Sequence, residues 1–96
     1  MSEVSFEWDE TKNAENQQKH GLSFEDAQYA FFDNHRIIAE DLVHSQNETR
    51  FYCFGKLNEG IVTVRFTYRH GKIRIIGAGF WRKGRFFYEK ENKIHG

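Results

Sequence analysis

The stretch IVTVRFTYRHGKIRIIGA, residues 61–78, decides the fold because it has the pattern of two β-strands joined by a tight turn. Its first half alternates apolar with polar or basic side chains, which places successive side chains on opposite faces of a sheet. His70-Gly71 suits a two-residue turn, since glycine readily adopts positive φ and histidine tolerates it better than most residues. We therefore predict an antiparallel hairpin with Tyr68 opposite Ile73 and Arg69 opposite Lys72.

A third strand precedes this hairpin. If Glu59-Gly60 forms the intervening turn, Phe51 faces Tyr68 and Arg50 faces Arg69, so that one face of the sheet is apolar and the other basic. Facing like charges repel each other, so the basic face needs acidic neighbours or an anionic ligand. We look for function on this face, which is predicted to carry Arg50, Tyr52, Arg65, Arg69, Lys72 and Arg74.

The charges of the chain are divided unequally between its halves. Residues 1–48 contain three basic and eleven acidic residues, whereas residues 49–96 contain eleven basic and three acidic, giving formal charges of −8 and +8. Either the acidic half folds over the basic sheet or the basic half meets a polyanion. The length predicts a single domain over residues 1–96. A lone cysteine, Cys53, on the apolar face and the lack of a signal sequence or membrane span predict a cytoplasmic protein.

The flanking segments predict helices around the sheet. After a short strand containing Phe6, a helix runs from the N-cap Asp9 to Gly21, and its scarcity of apolar residues predicts that it is held at its ends. A second helix, with an apolar stripe for the sheet, begins at Ser23. An edge strand includes residues 37–38, a loop spans residues 40–49, and a last helix follows Gly79, although Gly84 would cost it about 1 kcal/mol relative to alanine. The fold class is α+β, a small antiparallel sheet with two N-terminal helices and a C-terminal helix.

The order of several short motifs resembles the BrnT family of bacterial toxins. The opening resembles its signature in Trp8-Asp9, Lys12, Asn16, Lys19-His20-Gly21, Leu22-Ser23-Phe24 and Ala27. Later motifs also resemble the family, namely Glu48 with Arg50, Arg69 with Gly71, Ile73-Arg74-Ile75-Ile76, and Tyr88-Glu89.

The resemblance implies a RelE-like fold and a metal-independent ribonuclease that halts translation. It also implies a partner, a BrnA-type antitoxin with a DNA-binding ribbon-helix-helix domain, and repression of the operon by the complex bound to operator DNA. One departure stands out, because family members usually continue with Ser-Ala-Arg where this chain has Gly77-Ala78-Gly79. Gly79 thus replaces the expected arginine, with Arg82 as a candidate substitute.

Metal-free RNA cleavage requires a base for the 2′-hydroxyl proton, cations for the charge on the phosphorane, and a proton for the leaving oxygen. Arginine suits the second role, since its planar guanidinium grips two phosphate oxygens. Glu48, His20 and His70 are candidates for proton transfer, although Glu48 could instead pair with Arg50, and both histidines could be ordinary helix-cap and turn residues. The predicted catalytic residues are Glu48, Arg50, Arg69 and Arg74.

Further residues are predicted to bind RNA: Lys12, Lys19, His20, Tyr52, Arg65, Lys72, Arg82 and Tyr88. For the arginines the alternative is ordinary solvent exposure, and for the tyrosines it is core packing. We expect no cofactor and no metal, because the five histidines lack ligand-like spacing. The aromatic and basic tail, residues 80–87, either packs in the core or forms an exposed surface that anchors a protein partner. Two alternatives to the nuclease remain: an inactive module that keeps its antitoxin-binding surface, and an RNA-binding protein without cleavage.

Overall fold

The computed structural model describes residues 4–58 and 60–93, which form a five-stranded sheet with helices on both faces. In chain order the elements are β1 (Phe6–Glu7), α1 (Glu10–His20), α2 (Phe24–Ala27), a 3₁₀ helix (Gln28–Phe32), β2 (Ile37–Glu40), β3 (Arg50–Leu57), β4 (Gly60–Arg69), β5 (Lys72–Gly79) and α3 (Arg82–Glu91). The strand order is β1-β5-β4-β3-β2. The predicted α+β class is confirmed.

Two details of the predicted fold are wrong. The sheet is mixed, because β1 pairs with β5 in parallel, with Phe6 opposite Ile73. A parallel pair needs a long connection, and here the other helices and strands supply it. The second N-terminal helix is a single α turn that continues as the 3₁₀ helix, so its apolar residues reach the sheet over a tighter helical path.

The central hairpin has the predicted register. Tyr68 lies opposite Ile73 and Arg69 opposite Lys72, and the turn residues His70 and Gly71 have φ values of 54° and 75°. Positive φ at both central positions matches the twist of the flanking strands. Beyond a bulge at residues 65–66 the pairing shifts by one residue.

The predicted register of β3 against β4 is wrong by two residues. Phe51 faces Phe66 instead of Tyr68, and Arg50 faces Thr67 instead of Arg69. The prediction placed the turn at Glu59-Gly60, whereas it lies between Leu57 and Gly60, and Asn58 adopts a positive φ of 57°. Because side chains alternate with period two, this shift leaves every residue on its predicted face.

The apolar face of the sheet forms the core under α2 and the 3₁₀ helix. Phe24, Val64 and Phe66 have no exposed surface, and Phe31 packs edge-on against Phe66 with ring centroids 4.9 Å apart. Cys53 is a fully buried free thiol, as predicted. Burial raises its pKa to about 12, so this thiol is unreactive while the protein is folded.

Helix α1 is held by two asparagines and not only by its ends: Asn16 bonds it to β5 and Asn13 bonds it to α2. Asn16 Nδ2 donates to the carbonyls of Leu22 and Ala78, both at 2.9 Å, and its Oδ1 accepts the Ala78 amide. Asn13 accepts the Phe24 amide at 2.8 Å. The predicted N-cap is confirmed, because the Asp9 carboxylate accepts two amides of the first turn.

Helix α3 covers one end of the predicted basic face. Gly84 lies so close to β4 that an added Cβ would collide with Thr63 Oγ1 and sit 3.0 Å from the Phe54 ring. The glycine therefore allows the helix to approach the sheet closely, although glycine lowers the helix propensity of this segment. Tyr88 is buried and donates to Asp33 at 2.5 Å, which fixes the helix to the end of the 3₁₀ helix.

Candidate functional site

Three arginines from three places in the sheet converge on one small cavity. Arg50 begins β3, Arg69 ends β4, and Arg74 lies in β5, and all three are partly buried. The cavity has a volume of about 140 Å³. Its lining consists of Asp9, Lys12, Glu48, Arg50, Arg69, Arg74, Ile75 and Ile76. The structure therefore brings together all four residues that were predicted to be catalytic.

Acidic residues of the N-terminal half neutralise two of these arginines. Arg69 Nη2 lies 2.8 and 3.0 Å from the two carboxylate oxygens of Glu48. Arg74 Nη1 donates to Glu7 Oε2 at 3.1 Å. No salt bridge to Arg50 occurs within residues 4–58 and 60–93. The acidic half thus folds over part of the basic face and leaves cationic surface for an anion.

The connection between β2 and β3 is an ordered loop beside this cavity. The Asp41 amide donates to the Arg50 carbonyl at 2.7 Å, which closes the loop at its base. Ser45 Oγ donates to the Asp41 carbonyl at 2.6 Å and accepts the Arg50 amide at 2.8 Å. These bonds hold Glu48 and His44 over the sheet, so the loop is part of the site.

The loop contains a carboxylate and imidazole pair that the sequence reasoning missed. Asp41 is 4% exposed, and its Oδ2 lies 2.9 Å from Nδ1 of His44. Burial disfavours the Asp41 carboxylate, but the hydrogen bonds from His44 outweigh this effect and lower its pKa. The sequence feature that could have revealed this pair is an aspartate directly after a strand, followed three residues later by a histidine. Both residues lie in the stretch that was predicted to be a loop without special features.

A larger groove of about 630 Å³ lies between the middle of the sheet and α3. Its lining combines aromatic rings with cationic groups and consists of His44, Tyr52, Phe54, Thr63, Arg65, Trp81, Lys83, Gly84, Phe86 and Phe87. Tyr52 stacks on Phe54, with centroids 5.7 Å apart and planes at 26°. Burial and the Asp41 carboxylate raise the pKa of Tyr52, so its hydroxyl remains protonated at neutral pH.

His44 borders a third cavity as well as the groove. This cavity has a volume of about 320 Å³ and lies on the arginine side of the loop. Glu48 and Arg50 line it together with Val43, Gln46 and Asn47. The imidazole of His44 therefore stands between the aromatic groove and the arginines.

The predicted RNA-binding residues do not all share this surface. Lys12 lines the arginine cavity, and Tyr52 and Arg65 line the groove. The exposed side chains of Lys19, His20, Lys72 and Arg82 line none of these three cavities, and His20 contacts the Trp81 ring instead. Tyr88 is 3% exposed and donates a hydrogen bond to Asp33. It therefore packs in the core, which was the alternative to RNA binding, and offers no surface to RNA.

Gly79, the residue in place of the expected arginine, lies under Trp81. A Cβ at position 79 would lie 2.6 Å from two carbons of the indole ring. Trp81 thus fills the space where a side chain at this position would begin. An arginine at position 79 would therefore require Trp81 to move from its place at the start of α3.

The fold and site together define a class of protein, a small α+β domain with a cationic, arginine-lined face suited to a phosphate backbone. The family model described as "Ribonuclease toxin, BrnT, of type II toxin-antitoxin system" matches residues 8–84. The chain therefore belongs to the BrnT family of type II toxin–antitoxin ribonuclease toxins, as its motifs predicted. A comparison with curated proteins found no match. Within the described part of the chain, no helix is long and apolar enough to cross a membrane.

Proposed function

We propose that this chain, a single toxin domain over residues 1–96, is a cytoplasmic, metal-independent ribonuclease that inhibits translation and is neutralised by an antitoxin. The antitoxin is a BrnA-type ribbon-helix-helix protein, and the complex binds operator DNA through it. Membership of a family of ribonuclease toxins supports RNA as substrate and an antitoxin as partner. The observation that carries the proposal is the convergence of Arg50, Arg69 and Arg74 on one cavity.

The arginines suit the charge that develops when RNA is cleaved through its 2′-hydroxyl. Attack of the 2′ oxygen gives a phosphorane that carries more negative charge than the starting phosphodiester. Preorganised cations therefore stabilise the transition state more than the bound substrate. Arg50 lacks a carboxylate partner among the described residues, so it binds the phosphate without losing an ion pair. Arg69 and Arg74 are oriented by Glu48 and Glu7, which gives Glu48 a positioning role at the catalytic site.

Tyr52 and Arg65 extend the proposed RNA path into the groove. Aromatic rings stack on bases of any sequence, and each stacked base contributes about 1–3 kcal/mol to binding. An arginine beside the rings attracts the phosphate backbone of the RNA. The path therefore runs from the arginine cavity, past His44, to the stacked pair of Tyr52 and Phe54. Lys12 widens the cationic surface at the other end.

Cleavage of a labelled messenger RNA, with and without ribosomes, tests this function. Arg50→Ala and Arg74→Ala should each lower the cleavage rate about 10²-fold or more, the loss typical when one stabilising donor is removed. Arg85→Ala is the matched control, because Arg85 pairs with Glu89 on the exposed side of α3 and lines no cavity described above. Full activity in both cavity variants would remove the site assignment.

Metal independence has its own test. Cleavage by purified protein should be unchanged by excess EDTA, provided that divalent ions are not needed to fold the RNA or hold the ribosome together. Naked RNA without stable secondary structure avoids both complications. Loss of activity in EDTA that is restored by a divalent cation would contradict the arginine-based mechanism.

The C-terminal segment supports a protein partner. Phe80, Trp81 and Phe86 expose 50%, 36% and 65% of their surfaces, whereas Phe87 packs against Phe54. Exposed aromatic residues beside Arg82 and Lys83 are typical of interface hot spots. Phe86→Ala should weaken antitoxin binding and leave the fold intact. Tyr29→Ala, at another exposed aromatic residue, in the 3₁₀ helix, is the control and should leave antitoxin binding unchanged.

A second candidate function is a catalytically inert BrnT-like module that still binds the antitoxin. The expected arginine is replaced by Gly79, and Trp81 occupies the space beside it, which favours this function. Expression without the antitoxin distinguishes the two. A nuclease arrests growth and is rescued by the antitoxin, whereas an inert module is harmless, leaves RNA intact and still forms the complex.

A further inference from the structure

Among the histidines in residues 4–58 and 60–93, His44 has ring nitrogens that are arranged for proton transfer at the arginine face. Nδ1 of His44 lies 2.9 Å from the buried Asp41 carboxylate, while the imidazole side chain itself is 52% exposed. The backbone amides of Val43 and His44 both donate to the other oxygen of Asp41, Oδ1, at 3.2 Å. The carboxylate is therefore fixed as an acceptor, so Nδ1 carries a hydrogen and Nε2 of the neutral ring presents its lone pair.

The other proton-transfer candidates are engaged elsewhere. Both oxygens of Glu48 accept hydrogen bonds from Arg69, which favours a carboxylate that orients a cation over one that removes a proton. His20 contacts Trp81 at the end of α1, and His70 is the first residue of the hairpin turn. Only His44 among these four borders both the groove and the cavity that contains Arg50.

We propose that His44 is the general base of the ribonuclease and that Asp41 is its positioning residue, an inference that rests on the proposed function. Nε2 takes the proton of the 2′-hydroxyl while the 2′ oxygen forms its bond to phosphorus. The bond from phosphorus to the 5′ oxygen breaks, and that oxygen takes a proton from water. The products are a 2′,3′-cyclic phosphate and a 5′-hydroxyl end, and the imidazolium returns its proton to solvent.

This geometry predicts a pH dependence. Cleavage should increase with pH as the imidazolium loses its proton, because only the neutral ring accepts the 2′ proton. The charged and titratable groups around the ring also influence this profile: Asp41, Glu48, Arg50, Tyr52, Arg65 and Lys83. The dependence must therefore be assigned by substitution of His44 and not from the wild-type profile alone.

The test uses the full chain and a fluorescent messenger RNA, with and without ribosomes. His44→Ala should lower the cleavage rate by about 10²–10⁴-fold, retain RNA binding, and lose the acidic limb of the pH profile. Added imidazole should restore part of the rate, which a purely structural role would not permit. Asp41→Asn should lower the rate by a smaller factor, and His35→Ala, an exposed histidine outside the described cavities, should have no effect.

The outcomes separate this inference from the function on which it rests. Wild-type protein that leaves RNA intact would overturn both. Wild-type cleavage combined with a His44→Ala rate within threefold of it would overturn the base assignment and leave the ribonuclease standing. A rate loss that matches the loss of RNA affinity, without imidazole rescue, would also overturn it and identify His44 as a binding contact. Slow labelling of Cys53 by a thiol reagent verifies that each variant is folded.

Discussion

Nη2 of Arg69 donates to both carboxylate oxygens of Glu48, which lies 21 positions earlier in the chain, at 2.8 and 3.0 Å. The pair links the β2–β3 loop to the end of β4. It also relieves a repulsion within the sheet, because Arg69 faces Lys72 across the hairpin. Glu48 thus reduces the positive charge of the arginine cavity, and this role does not require Glu48 to transfer a proton in the reaction.

Substitution of Glu48 tests that role. Glu48→Gln should lower cleavage by less than about tenfold, whereas loss of a general base costs about 10²–10⁴-fold. RNA affinity should increase and depend more steeply on salt, because the guanidinium loses its counter-charge. Single-turnover cleavage and a salt titration of binding measure both effects. A loss of 10³-fold with unchanged affinity would instead make Glu48 the base.

For Gly84→Ala we expect a stability change opposite in sign to the one that helix propensity alone predicts. In an exposed helix interior Gly→Ala stabilises by about 1 kcal/mol. Here the new methyl would collide with Thr63 Oγ1, so Gly84→Ala should destabilise the protein by about 1–3 kcal/mol, as overpacked sites do. The double variant Gly84→Ala with Thr63→Ala should recover part of the loss in urea unfolding. Additive effects in this cycle would show that the two residues do not collide.

The hairpin and the two faces of the sheet were predictable because local chemistry determines them. Period-two alternation and His70-Gly71 fixed the register of β4 with β5, and the same alternation kept each face correct when the β3 turn was misplaced by two residues. The three predicted catalytic arginines met in one cavity because their faces were correct, and Glu48 joins them from the β2–β3 loop through its bond to Arg69.

The features that could not be predicted depend on contacts between distant parts of the chain. Asn16 and Ala78 are 62 positions apart in sequence, so nothing local indicates that a polar residue of α1 pairs with the end of β5. The roles of Gly84 and Tyr88 likewise depend on where α3 meets β4 and Asp33. Asp41 and His44 are close in sequence, but the burial that makes the carboxylate a fixed acceptor appears only in three dimensions.

The bond between Tyr88 and Asp33 should make stability depend on pH. Burial opposes ionisation of Asp33, but hydrogen bonds from Tyr88 and from the His35 and Lys56 amides outweigh it and lower its pKa. Burial and this carboxylate raise the pKa of Tyr88 to about 12, so the phenol remains a donor. The unfolded carboxyl, with a pKa of about 3.9, takes up its proton first as pH falls, so the contribution of Asp33 is present above that value and lost below it.

Tyr88→Phe should therefore lower the free energy of unfolding at pH 7 by about 1.5–3 kcal/mol, the usual value of a hydrogen bond to a charged group. The difference from wild type should shrink as pH falls through the lowered pKa of folded Asp33, because a protonated Asp33 no longer offers a charged acceptor. Tyr68→Phe, at an exposed tyrosine of β4, is the control and should be nearly neutral. Urea unfolding at several pH values provides the measurement, and a Tyr88→Phe effect independent of pH would contradict the assigned cause.

Asn16 should be the least replaceable polar residue of α1. Its amide group donates to two buried carbonyls and accepts a backbone amide of β5, so all of these backbone groups depend on it. In Asn16→Asp a carboxylate would face the carbonyls of Leu22 and Ala78 without a hydrogen to share, so the substitution should cost 3 kcal/mol or more, roughly the penalty for a buried unpaired charge. Asn16→Ala should cost about 1–3 kcal/mol because those groups remain unsatisfied. Gln17→Ala, on the exposed side of the same helix, should change the urea midpoint little. Equal midpoints for the Asn16→Asp and Gln17→Ala variants would mean that the ends of α1, and not its polar face, hold it to the sheet.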